Sequence, residues 1–246
     1  MAAEISTENP YGMIPALQQG GVVAWGLFGV MVIMSAGSWF IMITKWFEQR
    51  RLLKEAREAE QKVWSAANPK DGVVRLSDRS PFRLLAEDGF RAFDHHAAHP
   101  TGDVDSHEWL SMTLNRTANL VSSRLNGGLS FLASVGATAP FIGLLGTVVG
   151  IYRALINIGM AGQASIDKVA GPVGEALIMT AIGLFVAVPA VIGYNYIASR
   201  NKKIMERLNI FAADIHSYLL SGARIARPTA GKAPAASAKP APKAAK

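Results

Sequence analysis

Three long stretches of the 246-residue chain carry no charge. They cover residues 9–44, 125–152 and 176–199, runs of 36, 28 and 24. A helix needs about 20 apolar residues to cross a hydrocarbon core about 30 Å thick. Only 17% of the chain is charged, against roughly 25% in an ordinary soluble domain. These runs exclude a soluble enzyme and predict transmembrane helices at 22–44, 129–152 and 172–199. No span holds a nucleophile–base pair or a metal cluster, so catalysis is not expected. The chain has no cysteine, which removes a disulfide framework and a thiolate metal site. Residues 1–21 hold no Lys or Arg, so a cleavable signal peptide is not expected.

The basic residues orient the spans, because Lys and Arg accumulate on the cytoplasmic side. Residues 1–21 have none, 45–124 have 13, 153–175 have 2 and 200–246 have 10. The N-terminus is therefore predicted outside, the segment 45–128 inside, the turn 153–171 outside and the C-terminus inside. Trp25, Trp39, Trp46 and Tyr152 fall near the predicted interfaces, where amphipathic rings prefer to sit. The net charge of +7 resides mostly in the tail. Such a surface attracts anionic lipid. No aromatic–basic interleaving points to nucleic acid.

Inside the cell a helical bundle is expected. Residues 45–67 contain no Gly or Pro and hold the i,i+4 pairs Arg51–Glu55, Lys54–Glu58 and Glu58–Lys62, which support a helix. Asn68-Pro69 should end it. Ser80-Pro81 should start a short helix, and residues 94–103 read as a loop. His95, His96, His99 and His107 fall there and in the next cap, with no zinc-protease pattern around them. Asp105 and Glu108 form a predicted capping box. Two stripes at helical spacing follow: Leu110, Leu114, Thr117, Val121 and Leu125, then Ile204, Leu208, Phe211, Ile215 and Leu219. They place a cytoplasmic helix at 200–226. The tail 227–246, made of Ala, Pro and Lys repeats, is expected to be disordered.

Polar residues inside the spans are the candidate site. Span two carries Gly136, Gly143, Gly146 and Gly150 at close-packing spacing, with Thr147 among them and Pro140 in mid-span. In span three Glu175 is the one acidic residue between Lys168 and Arg200. Pro172 reads as the first helical residue, which puts Glu175 in the first turn, favoured by the helix dipole. Two readings of Glu175 stand at this point: a headgroup-level side chain, or an intramembrane carboxylate handling ions. Thr147 and Thr180 fall at similar depth on the two antiparallel helices. Thr180 lies about 140° round from Glu175. Ala176, Gly183, Ala187 and Ala190 lie between them, and Pro189 is further in. A face of small residues bounded by Glu175 and Thr180 predicts a cavity wall that only symmetric copies could close.

The segments PFIGLLGTVVGIYRAL from Pro140 and GPVGEALIMTAIGLFVAVPAVIGYNYIA from Gly171 resemble the ExbB/TolQ/MotA family of ion-driven motor subunits. SAGSWFIMITK from Ser35 adds a weaker match. Gly-Pro-Val-Gly stands where the family commonly has Pro-Gly-Ile-Ala. The Ala/Pro/Lys tail resembles the ExbB branch more than the TolQ branch, and the MotA branch would have four spans. The resemblance implies an all-α pentamer around a central pore in the inner membrane of a Gram-negative cell. Segments 1–21 and 153–171 would then be periplasmic. It implies ExbD helices in the pore and TonB at the periphery. Proton flow would energise outer-membrane uptake of iron-siderophores and similar cargo. Glu175, Thr147 and Thr180 would line the ion pathway. Gly143, Gly146, Gly150, Gly183 and Ala187 would be small residues of the pore helices, with Pro140 and Pro189 at kinks. Neither cofactor nor metal is implied. A Tol-Pal subunit of the TolQ type and a non-conducting membrane scaffold are the alternatives.

Overall fold

The computed structural model describes residues 13–98, 105–161 and 166–224. Among these residues every regular element is an α-helix. In chain order they are α1 Met13–Trp64, α2 Pro69–Val74, α3 Pro81–Ala98, α4 Ser106–Asn126, α5 Leu129–Ala161 and α6 Ile166–Ser221. Three helical stretches are long and apolar enough to cross a membrane. They belong to α1, α5 and α6, each of which is longer than a bilayer needs. α1 contains one interruption, at Gly21, whose φ of 57° and ψ of −155° are open only to glycine.

The helices share two cores. One sits within the apolar stretches and joins Met31 of α1, Leu132 and Ala139 of α5, and Met179 and Ala190 of α6. The other lies beyond them, where Ala59 of α1, Leu85 of α3, Leu114 of α4 and Ile215 of α6 meet. Both predicted stripes are in this second core. Leu110, Leu114, Thr117, Val121 and Leu125 are all buried, as are Ile204, Leu208, Phe211 and Ile215. The three predicted ion pairs on α1 are formed. The outward faces carry Ile33 and Phe40 of α1, Phe141 of α5, and Leu177 and Phe185 of α6, each more than 60% exposed. So much contiguous apolar surface is not tolerated in water.

Between the cores lies a buried polar junction. The Gln49 amide donates to the Ile197 carbonyl and to Asn201 Oδ1 at 2.9 and 2.7 Å. Asn201 Nδ2 donates in turn to the Leu125 carbonyl and to Asn126 Oδ1 at 2.9 and 3.2 Å. This ties α1, α4 and α6 together where they leave the apolar region. Gly127 and Gly128 then turn the chain from α4 into α5, with Gly128 at φ +85°, again a glycine conformation.

Several local expectations are corrected. α3 is not short, and residues 94–98 are helical rather than loop. Lys70 anchors Asp94 at 2.9 Å, and His95 and His96 stack on Trp109 of α4. These tertiary contacts outweigh the loop-like composition. Residues 99–103 lie outside the described residues. Asn68 caps α2 by accepting from the Lys70 amide, so Asn68-Pro69 starts a helix as well as following one. The capping box is not made: Asp105 is an extended N-cap whose side chain bonds no first-turn amide. The Ser80 hydroxyl is buried without a partner, although α3 does begin at Pro81.

The membrane helices also exceed their predicted ends. α1 begins before residue 22, α5 continues nine residues beyond Tyr152, and α6 begins at Ile166. Most of the expected turn 153–171 is therefore helix. Pro172 is inside α6, not its first residue, so Glu175 stands about two and a half turns in. The first-turn dipole argument for Glu175 falls with it. The predicted tail 227–246 lies outside the described residues.

Candidate functional site

Glu175 is the acidic group within the apolar part of α6, and three helices close around it. It is 3% exposed. On one side lies Gly20 of α1, where a Cβ would overlap the Glu175 carboxylate. On another lies Arg153 of α5, with Nη1 3.9 Å from Glu175 Oε1. The same guanidinium donates to the Gly20 carbonyl. Arg153 therefore bridges a backbone acceptor on α1 and a carboxylate on α6. A buried carboxylate is tolerated where such a partner offsets its desolvation. The Glu175 side chain therefore faces protein on the sides of α1 and α5.

One turn and more along α6, the hydroxyls of Thr147 and Thr180 contact each other. Thr147 Oγ1 also donates towards the Gly143 carbonyl at 3.2 Å and the Ala176 carbonyl at 3.4 Å. Thr180 Oγ1 reaches the Gly143 carbonyl at 3.5 Å. Each hydroxyl has one proton to give and two lone pairs. The pair thus reaches two backbone carbonyls, one on each helix, and the Ala176 carbonyl lies in the residue next to Glu175.

The close approach of α5 and α6 explains why these groups meet. A Cβ on Gly143 would stand 2.8 Å from the Met179 carbonyl, and one on Gly183 would stand 2.7 Å from the Ala139 carbonyl. Gly146 accommodates the Met179 side chain, and Gly150 accommodates the Pro172 carbonyl and Ala176. The glycines thus form a track on which α6 lies. Helices in lipid associate through such packing. Pro140 and Pro189 are both inside helices that continue through them.

This packing corrects the cavity-wall argument. Ala176, Ala187 and Ala190 are at most 3% exposed, and Gly183 is buried against α5. The small face of α6 is covered by helices of the same chain, because the glycines of α5 fill it with backbone. The sequence reading also missed Arg153. Its signal was available: it is the first charge after the second charge-free run, and Glu175 is the last before the third. The packing of α5 on α6 that brings them together was not visible.

Residues 79–210 match the MotA/TolQ/ExbB proton channel family. The chain belongs to that family. A biopolymer transport protein ExbB of Xanthomonas campestris pv. campestris is 42% identical over 212 residues, covering 82% of this chain and 84% of the relative. The ExbB of Neisseria gonorrhoeae is 37% identical, covering 83% of this chain and 95% of its own. A Tol-Pal system protein TolQ of Pseudomonas aeruginosa is 33% identical over 77% of this chain and 84% of its own. These two ExbB relatives match more strongly than this TolQ relative. As a member of the MotA/TolQ/ExbB family with three helices able to span a bilayer, the chain is a membrane protein of the proton-channel class. Thr147, Arg153, Glu175 and Thr180 all fall inside the matched region.

Proposed function

We propose that this chain is the inner-membrane subunit of an ExbB-type proton channel and motor. In this reading it spans the inner membrane three times, with the N-terminus periplasmic and the C-terminus cytoplasmic. Identical copies, as a pentamer, surround a pore that holds the transmembrane helices of ExbD. The motion powered by proton entry passes to TonB and on to outer-membrane transporters of iron-siderophores and similar cargo. Basic residues of the tail hold anionic lipid at the cytoplasmic surface.

The single observation that carries the proposal is a carboxylate, Glu175, buried within an apolar helix, with the carbonyl of the next residue, Ala176, facing the Thr147–Thr180 hydroxyl pair. Ionisable groups at such depth are costly and serve ion handling. Glu175 takes the proton, and Thr147 and Thr180 pass it by donating one hydrogen and accepting another. Pro140, Gly143, Gly146, Gly150, Gly183, Ala187 and Pro189 set the helix geometry that holds this path.

The test is Glu175→Ala in cells that depend on energised uptake. Uptake should be lost while the complex remains assembled in the membrane. Full uptake by a well-expressed Glu175→Ala chain overturns the proposal and leaves a non-conducting scaffold, whose sensitivity would lie at the glycines. The TolQ-type reading rests on the 33% identical relative. Co-purification from native membranes followed by mass spectrometry separates the two, by an ExbD-like or a TolR-like partner.

A further inference from the structure

Away from Glu175, an apolar cleft of about 640 Å³ runs between α1 and α6 on the outer surface of the chain. Its walls include Trp39, Ile43 and Trp46 of α1, and Val188, Ile192 and Tyr196 of α6. Where the two helices touch, Met42 lies directly on Gly193. Seven residues separate Trp39 from Trp46 and eight separate Val188 from Tyr196, so the cleft extends about 10–12 Å along the helix axes. It is elongated along the two helices and its walls offer almost no polar atoms.

The end where the helices leave the apolar region is cationic. The Arg50 guanidinium stacks 3.6 Å over the Trp46 ring. Arg200 Nη1 donates to the Tyr196 hydroxyl at 2.7 Å. Each arginine therefore sits on an aromatic residue of one cleft wall, one wall from α1 and the other from α6. Neither forms an ion pair among the described residues, whereas the neighbouring Lys45 and Arg51 are matched by Glu48 and Glu55. Arg200 is the first charge after the third apolar run.

An apolar slot along the acyl region, closed at the headgroup level by two unmatched guanidiniums, has the chemistry of one ligand class. We propose that the cleft binds one anionic phospholipid. Its acyl chain lies between α1 and α6, and its phosphate takes hydrogen bonds from Arg50 and Arg200. Guanidinium is the side chain best suited to phosphate. The Trp46 and Tyr196 rings flank the glycerol level, as amphipathic rings do at an interface. The site is independent of the proton path and holds whether or not Glu175 conducts.

The full chain, assembled in its complex, is placed in nanodiscs of equal parts phosphatidylglycerol and phosphatidylcholine. Native mass spectrometry then counts the lipids that stay bound on release. Phosphatidylglycerol should be retained over phosphatidylcholine. A basic residue near the surface contributes about fivefold, so Arg50→Gln with Arg200→Gln should lower its retention by roughly 25-fold. Ile192→Trp keeps both arginines but fills the cleft, and Ile192 is 64% exposed, so the helix tolerates it. That variant should lose the lipid too, and it decides the matter if the double variant does not assemble. Equal retention of the two lipids overturns the proposal, as does unchanged phosphatidylglycerol in Ile192→Trp. A crosslinker at position 43 that captures a protein helix, including a second copy, overturns it as well.

Discussion

Arg153 on α5 places its guanidinium 3.9 Å from the Glu175 carboxylate on α6 and binds the Gly20 carbonyl of α1 with the same group. The one acidic side chain of the apolar third span is thus held from outside its own helix. Arg153 is 30% exposed along its side chain while Glu175 is 4% exposed, so the pair runs from the protein interior towards its surface. Removing the cation strands a buried carboxylate. Arg153→Gln should cut energised uptake about tenfold or more with the chain still inserted. Arg153→Lys keeps the charge but not the fork, and should restore part of it. Equal uptake by the glutamine and lysine variants would remove Arg153 from the site.

Gly20 contributes by having no side chain. A Cβ there meets both the Glu175 carboxylate and Ala24 Cβ. Gly20→Val must therefore displace Glu175 or swing α1 away from α6. Gly26 and Gly29 of the same helix have nothing within 4 Å of such a Cβ. Gly20→Val should abolish uptake, and Gly26→Val and Gly29→Val should not. Growth on a siderophore as sole iron source, with chain levels checked by blotting, measures the difference.

The crossing of α5 and α6 is tighter than any larger residue allows. Gly143→Val would drive a branched side chain into the Met179 carbonyl, and backbone cannot yield as a side-chain tip does. Overpacking typically costs about 1–3 kcal/mol. Gly174→Ala meets nothing within 4 Å and gains the helix preference of alanine, up to about 1 kcal/mol. Thermal unfolding in detergent should therefore fall for Gly143→Val and stay level or rise for Gly174→Ala.

These contacts mark how far the sequence could be read. Charge-free runs placed three helices, because a bilayer leaves few other solutions for 24 or more uncharged residues. The stripes of α4 and α6 were legible because a 3.6-residue period admits one buried face. The start of α6 was not, since Gly171-Pro172 looks like an opening whereas the helix already begins at Ile166. The glycines of α5 were legible as a packing track, whereas the small face of α6 was read as a cavity wall. The partner of that face was not legible, because a pattern on one helix does not say whether the neighbour is its own chain or another copy. Arg153 needed the packing of α5 on α6 to meet Glu175.

Thr147 and Thr180 touch through their hydroxyls, and the proton-path reading makes those hydroxyls the active part. Valine keeps the branched shape and removes only the polar group. Thr147→Val and Thr180→Val should assemble and melt like the parent, within about 1 kcal/mol. Proton flux into liposomes holding the purified complex should fall several-fold in each. The double variant should fall little further than either single one, because the two groups act as one contact. Additive losses would mean two separate routes.

The Gln49–Asn201 junction sets the register of α1, α4 and α6 where they leave the apolar region. Asn201 is 3% exposed and Gln49 is fully buried. Asn201→Leu removes an acceptor for the Gln49 amide and the donor to the Leu125 carbonyl. Each buried polar group left without a partner costs about 1–3 kcal/mol, and two or three are left here. The loss should therefore exceed about 2 kcal/mol. Asn209 is exposed on the same helix, and Asn209→Leu should stay within about 0.5 kcal/mol of the parent. Chemical unfolding in detergent micelles, followed by far-UV circular dichroism, resolves a difference of that size. Similar midpoints for the two variants would mean that the apolar packing around Ile197 and Ile204 holds the register without the hydrogen bonds.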